Sequence, residues 1–367
     1  MTIVGTRPEI IRLSCTVALL DASVEHVLVH TGQNYDHGLS QVFFDELGLR
    51  APDHHLGVDT SSLGHVLGET LIGTERVLEV ERPDAVLVLG DTNSAIAAVM
   101  ARRMRVPVFH MEAGNRCFDD RVPEETNRRL VDHVADYNLV YTEHARQHLL
   151  AEGIHPGRIM LTGSPMREVL TRYRSQIDAS DALERLGLER DGYFLVSAHR
   201  EENVDHPGRL RSLLACLDAV AHAWDLPVLV STHPRTRARI ADAGAVTHPQ
   251  VRFLEPFGFF DYNRLQLGAA CVLSDSGTIS EESAMLGFPA VTLREAIERP
   301  EAIDAGTIVL TGLDADLVVE AVRLVREDPS KVAPRLPAEY EIPDVSRRVL
   351  RFLLSTVGPR KRPGPPR

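Results

Sequence analysis

Residues 110–133, His-Met-Glu-Ala-Gly-Asn-Arg-Cys-Phe-Asp-Asp-Arg-Val-Pro-Glu-Glu-Thr-Asn-Arg-Arg-Leu-Val-Asp-His, bring carboxylates, arginines and two histidines into one stretch. The stretch follows residues 106–109, a short apolar run that reads as a buried strand. It leads into a helix whose first turn holds Pro123, Glu124 and Glu125, where proline fits and acids suit the positive helix end. A salt-bridged helix start has the same composition. Placement favours a site, because ligands of open α/β sheets bind at the carboxyl ends of strands. Asp91 in Gly90-Asp-Thr-Asn is, by itself, a turn former or helix N-cap. With Glu112 and Glu124 it makes three carboxylates at one sheet edge, and such like-charge crowding raises pKa values toward general acid/base use.

Other strand ends carry groups suited to an anion. Gly5-Thr-Arg-Pro-Glu-Ile-Ile-Arg12 places Arg7 and Arg12 around a helix start, where backbone N–H groups and guanidinium forks hold phosphate. Gln33 ends the next strand. In the second half Ser276 and Gly277 open a helix and form an anion-binding turn, with Glu282 one to two turns in, placed for a ribose; a plain helix cap is the competing reading. Glu281, Arg299 and Glu301 add charge nearby. His199 follows a strand directly with Arg200 beside it, a proton donor or leaving-group stabiliser near neutral pH. His233 has the equivalent place after the next strand. His110 and His133 with the carboxylates show no metal-ligand spacing, and no metal is expected.

Parallel sheets put such groups on one edge. In the first half residues 1–4, 27–30, 85–89, 106–109, 137–141 and 158–161 read as strands separated by helical patterns. A second series runs through 194–198, 228–231, 251–254, 270–273, 290–293 and 306–310. Strand, polar loop and helix in repetition imply right-handed crossovers and a parallel sheet covered on both faces. Residues 167–192 are polar and helical, a linker region, so two doubly wound Rossmann-like domains facing a cleft fit better than one barrel. The expected domains are 1–167 with a returning helix 344–358, then 168–343, with a disordered tail 359–367.

With 367 residues two domains are the prior, and a net charge of −12 argues against a nucleic-acid surface. Cys15, Cys117, Cys216 and Cys271 are scattered, without a CxxC pair, and read as buried. Neither a signal peptide nor a membrane-spanning run is expected, which points to a soluble protein of the cytoplasm. The fingerprints of dinucleotide-binding, Walker-type, zinc-protease and serine-hydrolase sites are absent from the sequence.

Seven blocks carry a family resemblance: Gly5-Thr-Arg-Pro-Glu, Gly90-Asp-Thr-Asn, His110-Met-Glu-Ala-Gly, Pro123-Glu-Glu-Thr-Asn-Arg, His199-Arg-Glu-Glu-Asn, Asp275-Ser-Gly with Glu281-Glu282, and Glu298-Arg-Pro-Glu. In this order, to about Gly312, the chain resembles the non-hydrolysing UDP-N-acetylglucosamine 2-epimerases. The resemblance implies a glycosyltransferase-B-like fold, a homodimer, a UDP-sugar bound between two domains, and no redox cofactor. It further implies elimination and re-addition: a base removes the C2 proton, UDP leaves C1, and a 2-acetamidoglycal forms before UDP adds back. By motif, Asp91, Glu112 and Glu124 are then the acid/base candidates and His199 steadies the departing diphosphate. Arg7, Arg12, Ser276, Gly277 and Glu282 hold UDP, with Gln33, Arg116, Arg128, His233 and Arg299 as further substrate contacts. The family often has lysine where this chain has Arg12.

Thr31-Gly-Gln-Asn-Tyr-Asp, Phe43-Phe-Asp-Glu, Asn115–Arg121 and Thr162-Gly-Ser-Pro-Met look like the branch acting on 6-deoxy sugars, which makes UDP-N-acetyl-L-fucosamine from UDP-2-acetamido-2,6-dideoxy-L-talose for capsule and O-antigen. In that reading Asn115–Arg121 reads the sugar. The first alternative is conversion of UDP-N-acetylglucosamine to UDP-N-acetylmannosamine. A retaining glycosyltransferase of the same fold and an idle UDP-sugar-binding protein are the others.

Overall fold

The computed structural model of the chain describes residues 1–33, 37–119, 122–232, 234–242, 247–327 and 336–357; the side chains of 37–41, 201, 202, 234, 235 and 241 lie outside that description, as does the expected tail. Two compact units form: Met1–Arg172 with the chain from Ala338 onward, and Tyr173–Pro337. The boundaries placed by sequence at 167 and 344 lie a few residues from these.

In the first unit the strands are β1 (Thr2–Val4), β2 (Leu28–His30), β3 (His54–His55), β4 (Val86–Leu89), β5 (Val108–Ala113), β6 (Tyr137–Val140) and β7 (Ile159–Leu161). They form one sheet in the order β3-β2-β1-β4-β5-β6-β7, every pair parallel. This is the doubly wound order with one strand added. Val86, Leu87, Val88 and Leu89 are all buried, as a strand covered on both faces requires. Each such side chain contributes about 1.5–3 kcal/mol when removed from water. The helix Val345–Val357 returns to this unit. Phe352 packs edge-on to Phe109 at 5.9 Å and to Tyr137 at 5.3 Å, and the Glu168 carboxylate accepts from Ser346 N at 2.8 Å. The helix His37–Glu46 and the two-residue β3 were not anticipated.

The second unit holds β8 (Phe194–Ser197), β9 (Val228–Ser231), β10 (Val251–Leu254), β11 (Cys271–Ser274), β12 (Ala290–Thr292) and β13 (Val309–Leu310). Their order is β10-β9-β8-β11-β12-β13, again all parallel. Helices Pro207–Trp224 and Ala315–Glu327 cover one face through Leu213, Leu217, Val220, Val318 and Val322. The other face takes Ala182 of the expected linker, buried with Leu195, Leu229 and Val272. Part of that polar segment is therefore core. Among the described residues no helix is long and apolar enough to cross a membrane.

In both sheets the strand order reverses at one place, between β1 and β4 and between β8 and β11. Loops leaving the carboxyl ends of those strands diverge there, which is where open α/β sheets bind ligands.

Candidate active site

The first switch point is the turn after β1 against the turn after β4. Gly5 fits there because it has no side chain: a Cβ would stand 1.9 Å from Ser94 Oγ and 2.1 Å from Thr31 Oγ1. Gln33 closes the same contact, its Oε1 accepting from Ser94 N at 3.1 Å and Ser94 Oγ at 3.0 Å. Glu9, buried in the first turn of the helix Arg7–Ser23, ties the two turns together. It accepts from Gly5 N at 2.9 Å, Thr6 N at 2.7 Å, Thr6 Oγ1 at 2.8 Å and, from the other turn, Thr92 Oγ1 at 2.9 Å. Burial pushes its carboxyl up to about 7, against the lowering effect of these donors. By sequence Glu9 is only a member of the Gly5-Thr-Arg-Pro-Glu motif.

The acid/base candidates surround that junction. Asp91 follows β4; Asn127 donates to its carbonyl at 3.0 Å, and Arg128 reaches its Oδ2 through Nε at 3.1 Å and through Nη2. Glu112 lies in β5 and pairs with Arg12, which is buried. A side chain on Gly90 would stand 3.7 Å from Glu112 Oε2, so this carboxylate abuts the turn that carries Asp91. Glu124 sits half-buried in the first turn of the helix Pro123–Val134. The expected crowding of like charges is therefore divided into ion pairs, Asp91 with Arg128 and Glu112 with Arg12. Arg128 is further anchored by Glu125 at 2.6 Å. Burial works to raise the Glu125 carboxyl, yet the Cys117 N–H and the two arginines Arg128 and Arg129 hold it below its ordinary value.

Several expected phosphate or sugar contacts are engaged otherwise. Arg12 faces Glu112. Arg128 faces Asp91 and Glu125. Arg116 has a side chain fully buried, with Nε and Nη2 on Glu152 at 2.8 and 2.7 Å and Nη1 on Asp132 at 2.7 Å. It is a support inside the unit rather than a reader of the sugar. The Arg116 fork holds the Glu152 carboxyl down at about 2. Arg299 is likewise interior, 2.8 Å from Glu281, and does not line an open surface. Arg7 stays half-exposed at the helix start, with its guanidinium 5.4 Å from the Phe43 ring centre. A cation at a helix N-terminus suits a phosphate, while Gly5 N and Thr6 N there are already held by Glu9.

At the second switch point Asp275, fully buried, is the centre. It accepts from His199 N at 3.1 Å, Arg200 N at 3.0 Å and Asn203 Nδ2 at 3.0 Å, and Arg200 Nε donates back to its carbonyl at 3.0 Å. His199 is thereby fixed by its backbone while 42% of its side chain remains exposed. Ser276 N donates to Ser274 Oγ at 3.0 Å and Ser276 Oγ accepts from Thr278 N at 3.3 Å, closing the turn ahead of the helix Ile279–Leu286. Gly277 lies beside Glu298 and Arg294, which a Cβ there would meet at 3.6 and 3.8 Å, ordinary contact distances. Glu282 lies in the first turn of that helix, oriented by Gln266 Nε2 at 2.6 Å. His233 lies outside the described residues, as do Asn34–Asp36, Asp120 and Arg121 of the sugar-reading segments. Of the cysteines, Cys117 is half-buried, 3.4 Å from Glu125; burial pushes the Cys15 and Cys216 thiols to about 11 and about 12.

Two doubly wound units with loaded switch points, the first completed by a returning C-terminal helix, define a glycosyltransferase-B-like protein. A solved glycotransferase of kitacinnamycin, 13% identical with a TM-score of 0.60, shares that fold. The family described as UDP-N-acetylglucosamine 2-epimerase matches residues 18–354. The UDP-N-acetylglucosamine 2-epimerase of Methanocaldococcus jannaschii is 34% identical over 332 residues, covering 88% of this chain and 91% of the relative. The UDP-2,3-diacetamido-2,3-dideoxy-D-glucuronate 2-epimerase of Pseudomonas aeruginosa is 36% identical over 329 residues, covering 88% and 91%. The solved UDP-N-acetylglucosamine 2-epimerase of Rickettsia bellii is 44% identical, with a TM-score of 0.90 over 97% of this chain and 96% of that one. The chain belongs to the UDP-N-acetylglucosamine 2-epimerase family.

Proposed function

We propose that this protein interconverts the C2 epimers of a UDP-2-acetamido sugar by eliminating and re-adding UDP. The observation that carries the reading is the junction of Asp91 and Glu112 at one switch point, each carboxylate paired with its own arginine. Epimerisation removes a proton from one face of C2 and returns one to the other, so it needs two proton-transfer groups. One carboxylate takes the C2 proton while the C1–O bond breaks, the bonding pair leaving with UDP and a C1–C2 double bond forming. A second acid, Asp91, Glu112 or Glu124, returns a proton on the opposite face, and the diphosphate oxygen re-attacks C1. His199 and Arg7 offset the charge of the departing diphosphate. The Ser276–Gly277 turn holds phosphate and Glu282 accepts from the ribose hydroxyls. No redox cofactor is needed, because hydrogen leaves and returns as a proton. The working form is a homodimer in the cytoplasm, serving surface polysaccharide synthesis.

The substrate is the 6-deoxy UDP-2-acetamido-2,6-dideoxy-L-talose, supported by the sequence resemblance at 31–36, 43–46, 115–121 and 162–166. A second reading, UDP-N-acetylglucosamine, is favoured by the names of the Methanocaldococcus and Rickettsia relatives. Incubating the two UDP-sugars in parallel and following C2 epimers by NMR separates them. The two sugars differ in ring configuration as well as at C6, so a preference of roughly 100-fold or more in kcat/KM is expected. A preference of that size for the talo sugar supports the first reading, and the reverse preference overturns it in favour of the second.

A further inference from the structure

We propose that His110, Asp132 and Arg116 form a buried ionic brace that holds Glu112 and the Gly90–Asp91 turn in working geometry, as positioning residues for the 2-epimerase reaction proposed above. Glu112 has φ +63°, in the left-handed region that a residue with a Cβ avoids. The ladder between β5 and β6 shifts register here, between Met111 and Ala113, so Glu112 occupies a bulge. A backbone of this kind persists only where its surroundings over-determine it.

The surroundings are a set of fully buried charges. On the N-terminal side of the bulge His110 places Nδ1 2.9 Å from Asp132 Oδ1 and Nε2 2.8 Å from the carbonyl of Gly90. Both ring nitrogens therefore face oxygen atoms, a carboxylate on one side and a backbone carbonyl on the other. On the C-terminal side Gly114 N donates to both oxygens of Asp132 at 3.2 Å. Asp132 thus grips the strand before and after Glu112 from the helix Pro123–Val134. Arg116 completes the brace, bonding Asp132 at 2.7 Å while its other nitrogens fork onto Glu152. Gly114 itself has φ +80°, and a Cβ there would meet Ala145 O at 2.3 Å, so a neighbouring helix backbone blocks relaxation of the bulge outward. One imidazole therefore connects the strand that carries Glu112 with the carbonyl immediately before Asp91.

Two single substitutions separate the halves of the brace. His110→Asn keeps an amide donor at the Nδ1 position, toward Asp132, and loses the link to Gly90. His110→Gln reaches Gly90 and loses the link to Asp132. In each, KM for the UDP-sugar should stay within about threefold, because nucleotide contacts are untouched, while kcat falls roughly 10- to 100-fold, the cost of a misplaced reacting group. Amide hydrogen exchange across residues 110–116 should quicken in both variants, with exchange in β8 and β11 unchanged. Should either variant fail to fold, Arg116→Lys, which keeps the charge but loses the fork onto Glu152, takes its place with the same readouts. Wild-type kcat in the variants, or a kcat loss that disappears once rates are referred to the folded fraction measured by urea unfolding, overturns the proposal. If the wild-type protein epimerises no UDP-2-acetamido sugar, the functional reading fails separately. The exchange arm then decides the brace alone, unchanged exchange at 110–116 counting against it.

Discussion

Glu112→Gln is expected to lose turnover by about a thousandfold, within the range that general acid–base groups contribute, while UDP binding stays within about twofold. The carboxamide has the shape of the carboxylate but neither its proton affinity nor its charge. Arg12, buried and paired with Glu112, is then left facing a neutral group. Asn115 Nδ2, 3.4 Å from Glu112 Oε1, keeps a carbonyl to meet, so the bulge is not emptied of contacts. UDP binding survives because Glu112 is not among its proposed holders, Arg7, the Ser276–Gly277 turn and Glu282. Steady-state rates with calorimetric titration of UDP check both halves. A variant with wild-type kcat removes Glu112 from proton transfer, and one that loses UDP affinity in parallel assigns it to binding.

Asp275→Ala carries the largest expected stability loss, about 3 kcal/mol or more. Three donors, His199 N, Arg200 N and Asn203 Nδ2, lose a fully buried acceptor at once, and an unsatisfied buried donor costs about 1–3 kcal/mol. The effect is local as well as global. His199 is held through its backbone N–H, so its side chain loses its aim when the loop relaxes, and turnover falls with stability. Urea unfolding followed by rates on the folded fraction separates the two. Asp275→Asn, which retains one acceptor oxygen, should lose less. If Asp275→Ala melts like the wild type, the carboxylate is not what joins the β8 and β11 loops.

The alternation of apolar runs and polar loops was enough to locate the long strands of both sheets, because a strand buried on both faces has to be apolar throughout. It also located the switch-point loops, since polar residues at strand ends are visible as a pattern. Partners were not visible. Arg7 and Arg116 are both loop arginines by sequence, yet one lies half-exposed over Phe43 and the other is fully buried on Asp132 and Glu152. Burial is set by contacts many residues away, which a local pattern does not record. Glu9 was similarly hidden: as an acid in the first turn of a helix it satisfied a capping pattern, and its bond to Thr92 joins residues far apart in the chain. The two residues of β3 are too few to show a period, and the helix His37–Glu46 begins with His-Gly, which gave no start signal. The left-handed backbone at Glu112 had no signature at all, since glycine or asparagine normally mark such positions.

Inversion by the proposed route exchanges the hydrogen at C2 with solvent. Incubation of the purified protein with its UDP-2-acetamido sugar in D₂O, without any acceptor, tests this by NMR and mass spectrometry. The expected product is the 2-epimer carrying one deuterium at C2, with UDP fully retained at equilibrium. Turnover that needs an added acceptor, with C2 still protonated in the product, would contradict the claim and point to glycosyl transfer.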